Sequence, residues 1–434
     1  MATVTKPIIL DETGNAIKDA ILRVANAIDS GSGVIYGFHI NGAESDPDAA
    51  VSYLKDAQGM TPAKMNFTAQ EFEYGSWGDA FFMPKPCMLK SDGTVDYYLN
   101  PNDFTKKEDG TASDVANTSY DGNAMMEWPH IWVKIVPDSN PKSGSVYISD
   151  HQVDSTYKDY ANHNANGVAV EHFYTPIYNG SLDSNNKLRS LSGRALSNTL
   201  TTTNQRTYAK ANNPGSTILW DIECLADRQL INFLLILISK SLNTQAKFGQ
   251  GANSGGSEAV NDTFRTGVHN TKGLFFGTNS GAVSDSSFNN CVKIFGMENY
   301  YGLQWRRTCG LIDASGDLKI KLTRNTEDGT TVTDYNENGS GYISSGVTPD
   351  GTSGGYISEV NFDNQSMLPK VAAGSASTYF CDGLWYNNTV TAFALFGGTS
   401  TAGALVGAFC LILNYTASVA NWALGAAVSC KPLS

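Results

Sequence analysis

Six histidines, His39, His130, His151, His163, His172 and His269, are the side chains best suited to move protons or hold a metal near neutral pH. None stands in an HExxH or HxH spacing, so no metal site is expected from them. Gly351-Thr352-Ser353-Gly354-Gly355 spells GxSxG. It lies in a polar loop, lacks the apolar strand a nucleophile elbow needs, and has no histidine after it, so it reads as a turn. Asp221 and Glu223 fall in a stretch expected to be helical, where a spacing of two points them to different faces. Capping or an internal hydrogen bond suits them better than paired acid–base work. Asp313 and Asp317 flank Ala-Ser-Gly and could face a cation, but they lack the ligand number of a calcium loop. Gln250–Ala259 is rich in Gly and Ser but has no GK[ST] after it, so no phosphate loop is expected. The seven cysteines are odd in number and form no CxxC pair, which suits small buried thiols. No catalytic constellation, cofactor or metal is expected; carboxylates are frequent enough to keep a glycan-cleaving pair as an alternative.

These residues sit in an acidic, weakly charged chain. It has 434 residues, a formal net charge of −12 and 17% charged residues, against an ordinary share of roughly 25%. Such a balance argues against nucleic acid as a partner. Between Lys370 and Lys431 only Asp382 is charged, although the stretch is full of aromatic, Asn, Ser, Thr and Gly residues. That composition suits a surface that meets a ligand. Leu230–Ser239 is too short to span a bilayer, and Ala394–Leu413 is broken by Gly397, Gly398, Gly403 and Gly407, so buried strands are expected there and no membrane insertion. The acidic Asp11-Glu12 follows Met1–Pro7 without the full apolar stretch of a secretory leader, and a chain made in the cytoplasm is expected.

The elements expected to position these residues are mostly short strands. Asp11–Ser30 is the exception, a helix with a seam at Ile17, Ile21, Val24 and Ile28 that ends at Gly31-Ser32-Gly33. β-Branched residues along a heptad seam favour trimers, so this helix reads as a trimerising or docking stalk or as a helix packed on its own domain. Strands are expected over Val34–His39, Ala80–Met83 and Val95–Leu99, with turns at Pro84-Lys85-Pro86 and Asn100-Pro101-Asn102 and a surface loop over Lys106–Ser119. Met125–Val136 is the strongest strand signal, with Pro129 as a bulge or edge. His151–Lys210 reads as irregular, and Leu219–Leu242 as one helix that is apolar all round and therefore central. Val292–Ile312 reads as core, Asp317–Asp334 as a hairpin turning at Asp328-Gly329, and Asn336–Gly355 as a loop.

The order of segments carries a resemblance. Met126-Glu127-Trp128-Pro129 opens a strand, a long core helix follows, and then comes Gly296-Met297-Glu298-Asn299-Tyr300-Tyr301-Gly302-Leu303-Gln304-Trp305-Arg306. The chain closes with Phe393-Ala394-Leu395-Phe396-Gly397-Gly398, then Gly407-Ala408-Phe409, Trp422, Gly425-Ala426 and Ser429-Cys430-Lys431-Pro432. This resembles the variable proteins of diversity-generating retroelements, in particular phage tail adhesins of the major tropism determinant class. Lys6–Gly14 is similar to the start of tail proteins of phages of gut bacteria. The resemblance implies an α+β chain: an N-terminal helix over 1–33, a small β-rich region over 34–115, and a C-type lectin-like domain of the formylglycine-generating-enzyme type over 116–434. It also implies a variable segment over about 380–430. The EPN, QPD and WND motifs of calcium-dependent sugar binding are missing, as is a cysteine pair spaced for the copper site of the related enzymes.

Within that frame Gly397, Gly398, Gly403, Gly407, Phe409, Leu411, Leu413, Trp422 and Gly425 read as scaffold. The interleaved Thr399, Thr401, Ala402, Ala404, Cys410, Ile412, Asn414, Tyr415, Thr416, Val419, Asn421, Ala423 and Leu424 read as the displayed set, joined by Tyr386, Asn387 and Asn388. The expected function is a non-catalytic receptor-binding protein of a virion tail, a homotrimer that meets other tail proteins through its N-terminus and a host-cell protein or glycan through its C-terminus. A structural tail or baseplate subunit without its own ligand, and a glycan-active tail enzyme, are the alternatives.

Overall fold

The computed structural model describes residues 33–349 and 354–433. The expected stalk helix and most of the GxSxG turn lie outside these residues. The described chain is β-rich, with four α-helices, two of them under eight residues. None is long and apolar enough to cross a membrane.

Three large sheets surround one core helix. The first has the order Val51–Lys55, Ile35–Ile40, Gly144–Ser149, Trp132–Pro137. The second runs Trp220–Ile222, Val428–Cys430, Phe173–Pro176, Gly122–Trp128, Lys85–Lys90, Val95–Asn100, Asp103–Lys107. The third runs Ile343–Ser344, Leu318–Ile320, Trp305–Ala314, Thr391–Phe396, Leu411–Leu413, Gly383–Tyr386, Gly355–Tyr356, with Leu424–Gly425 parallel to Trp305–Ala314. Strands from 34–115 share the first two sheets with later strands, and one apolar core runs from Tyr36 to Cys430. The boundary expected at 115 therefore falls inside shared sheets.

Helix Leu225–Ser239 is shorter than expected. Trp220 and Ile222 point inward with a period of two, and Trp220–Ile222 pairs with Val428–Cys430 as a strand. Asp221 and Glu223 therefore leave the helix and enter separate buried pairs. Arg206 Nη2 donates to Asp221 at 2.7 Å, and Arg306 reaches Glu223 at 3.3 Å. The helix keeps almost every face buried, because three sheets enclose it. It stops at Lys240, whose φ of 52° is left-handed.

Other expectations shift for local reasons. Met125–Val136 divides at Pro129 into Gly122–Trp128 and Trp132–Pro137, strands of different sheets. Pro86 does not mark a turn: Lys85–Lys90 is a strand, while Ala80–Met83 forms turns. Leu318–Ile320 pairs with Leu311–Asp313 and Ile343–Ser344, so the expected hairpin to Val332 is not formed. The carboxylate of Asp328 instead ties the loop to the backbone amides of Leu322 and Thr323 at 2.7 and 3.0 Å. Thr202–Lys210 is a helix with Thr201 as its cap, and its sparse apolar residues hid it within the stretch read as irregular. All seven cysteines are buried and free.

Candidate ligand-binding face

The third sheet has two unlike faces near the C-terminus. On one, Arg306, Phe396, Leu411 and Leu384 stand in register across four strands and meet the main core. On the other, Arg307, Leu395, Ile412 and Trp385 form the neighbouring row. Alternation along each strand makes this split inevitable. The second row belongs to a smaller apolar cluster of Trp305, Leu395, Cys410, Ile412 and Leu424, against which Trp385, Tyr415, Val419 and Ala423 pack. Trp305 and Trp385 meet edge to face at 5.7 Å.

This second core corrects part of the displayed set. Cys410, Ile412 and Leu424 are buried in it, because the segment 414–423 folds back over the sheet. Tyr386 is buried in the main core, on the opposite face from Trp385. Thr399 is buried and donates its hydroxyl to the Leu303 carbonyl at 3.1 Å. The remaining residues stay accessible: Thr401, Ala404 and Thr416 are exposed, and Asn387, Asn388, Ala402, Asn414, Tyr415, Val419, Asn421 and Ala423 are half-buried. They lie on three segments, 387–389, 401–405 and 414–423, all rooted in the same sheet or its connections. Three exposed residues, Thr389, Ser418 and Ala420, and two half-buried indoles, Trp385 and Trp422, were not expected there. Trp422 had read as scaffold; the run of small residues on both sides of it was the available sign of a surface loop.

The backbone beneath these segments is tightly tied. Asn387 N donates to Leu413 O, Phe393 N to Tyr415 O, and Thr199 and Thr202 N to Asn421 and Ala417 O, at 2.9–3.0 Å. Gly403 N donates to Asn253 O at 2.8 Å, which fastens the 401–405 turn to the Gly/Ser-rich loop. Gly397 and Gly398 have φ values of 93° and 85°, open to glycine at little cost. A Cβ at Gly407 would strike the carboxyl oxygens of Asp382.

Asp382, the one charged residue of the terminal stretch, is fully buried. It accepts from Phe409 N at 2.8 Å, and burial pushes its pKa well above the ordinary carboxylate value. The accessible surface of 371–430 thus carries no side-chain charge. Arg307, 2% exposed, lies below it, donating to Thr202 Oγ1 at 3.0 Å and to Val419 O. Burial lowers its pKa to about 10. Two buried amide oxygens at the edge of the face, Oδ1 of Asn388 and of Asn414, have no hydrogen-bond partner among the described residues.

Elsewhere the candidate polar residues meet protein partners. Asp313 accepts from Gly316 N at 2.6 Å, and no group of three or more His, Cys, Asp or Glu among the described residues could hold a metal ion. His130 and His163 both reach Asp159, at 2.8 and 2.9 Å, a pairing hidden from sequence by their separation.

No protein-family model matches the chain, and no curated protein matches it. Among solved structures the chain is similar to the Major Tropism Determinant U1 Variant, at 13% identity, 81% of this chain, 72% of that chain and a TM-score of 0.30. It is similar to the Major Tropism Determinant M1 Variant at 15% identity with the same coverage and a TM-score of 0.23.

Proposed function

We propose that the chain is a receptor-binding adhesin of a phage tail, which holds its uncharged C-terminal face toward a host-cell ligand and acts by binding alone. The observation that carries this reading is the burial of Asp382, which leaves a terminal surface of aromatic, amide and hydroxyl groups without charge. Tyr and Trp provide contact area at low entropic cost, and Asn both donates and accepts. Sequence resemblance over Phe393–Pro432 supports a C-type lectin-like arrangement and a variable segment near 380–430. In this reading the two-faced sheet is the constant part and the segments 387–389, 401–405 and 414–423 are the changeable part. The N-terminal segment joins the virion tail and assembles three copies, which raises avidity without any new contact.

The test uses full-length labelled protein and a panel of bacterial strains. On a strain that binds, joint replacement of Asn388, Asn414, Tyr415 and Asn421 by Ala lowers adsorption by about tenfold or more, since each lost contact is worth roughly 1 kcal/mol. The thermal midpoint stays within a few degrees of the parent. Undiminished adsorption, or a panel with no binding strain, contradicts the proposal.

A further inference from the structure

We infer, resting on the binding role proposed above, that the ligand is an uncharged glycan rather than a charged polysaccharide or a protein surface. The argument is one of charge complementarity. The accessible part of 383–430 offers no charged side chain to a partner. Carboxylates sit on adjoining loops. Glu258 follows Gly256, whose amide donates to Ser400 O; Glu337 accepts from Thr203, next to the residue bonded to Ala417; Asp317 follows Gly316, which abuts Asn388. With a net charge of −12, this setting repels an anionic polymer.

A protein partner is disfavoured for a different reason. A protein interface presents roughly 20–30 residues a side, of which roughly a quarter are ordinarily charged. Those charges that fell against 383–430 itself would be desolvated without a counter-charge from that segment. A neutral glycan has no such cost. Its hydroxyls match the amide groups of the half-buried Asn387 and Asn421 and the hydroxyls of the exposed Thr401 and Thr416. Its C–H faces match Tyr415 and Trp422.

Two measurements on full-length protein test this with a strain already shown to bind. Cells treated with periodate, which cleaves vicinal diols, lose binding by about tenfold or more, while cells treated with proteinase K keep it. The reverse pattern overturns the glycan and leaves receptor binding standing. The charge of the ligand is read from Thr416→Asp and Thr416→Lys, placed on an exposed loop position. A neutral ligand weakens with both variants alike, to within roughly twofold and independently of salt. Opposite effects of the two signs, fading at high salt, overturn neutrality. Circular dichroism of both variants confirms that the fold is retained.

Discussion

At the scale of single residues, buried carboxylates decide where charge is absent. Asp313 shows the sign of the effect. It is fully buried, its Oδ2 has no hydrogen-bond partner among the described residues, and burial with the nearby Asp317 charge pushes its pKa up to about 6. A carboxyl whose folded pKa exceeds its unfolded value contributes most below the unfolded pKa. That contribution is lost as pH rises from near 4 through about 6. Asp313→Asn keeps the acceptor for Gly316 N and removes the titration. It should raise unfolding free energy at pH 7 by about 1–2 kcal/mol and leave it unchanged near pH 4. Urea titrations at the two pH values check this; an equal effect at both would assign the gain to packing. Residues on the terminal segments separate just as sharply. Ile412→Asp should unfold the chain or cost about 3 kcal/mol or more, because it buries a charge in the small apolar cluster. Thr416→Asp, on the exposed loop, should change stability by less than about 0.5 kcal/mol. Comparable losses in the two variants would mean that the buried and displayed assignments are mistaken.

At the scale of elements, the terminal segments stand on a sheet clamped from both sides. Arg306 faces Glu223 at the start of the core helix, while Arg307 faces the loop that covers the opposite side. Gly407 is the closest approach in this frame, so Gly407→Ala should cost roughly 2 kcal/mol or more and shift Phe409 off the Asp382 carboxylate. Amide exchange of Phe409 reads this directly: unchanged protection would show that the turn adapts freely. The same elements show what was legible beforehand. The core helix, the buried Val292–Ile312 segment and the glycine frame of the C-terminus were readable, since composition and periodicity report burial without needing partners. The two sides of the third sheet were not. Ile412 and Leu424 alternate with core residues as displayed residues would, and only the fold of 414–423 back over them turns their side into a second core. Trp220–Ile222 was absorbed into the helix because its strand partner lies about two hundred residues later, at Val428–Cys430. Helix Thr202–Lys210 carries too little apolar periodicity to announce itself.

At the scale of the whole molecule, charge is distributed unevenly. A chain with net charge −12 ends in a long stretch whose one carboxylate is buried. A net charge far from zero disfavours self-association, while the uncharged end can meet a ligand without stripping water from ions. In the role proposed above, this end binds and the rest of the fold holds it. A substitution scan over 380–430, sorted once for folding by protease resistance and once for adsorption to receptor-bearing cells, tests it most directly. Adsorption-specific losses should gather at Asn387, Asn388, Thr401, Ala404, Asn414, Tyr415, Thr416 and Asn421, while losses at Tyr386, Thr399, Cys410, Ile412 and Leu424 should follow loss of folding. A scan in which every adsorption loss follows loss of folding, with none specific to the accessible positions, would contradict it.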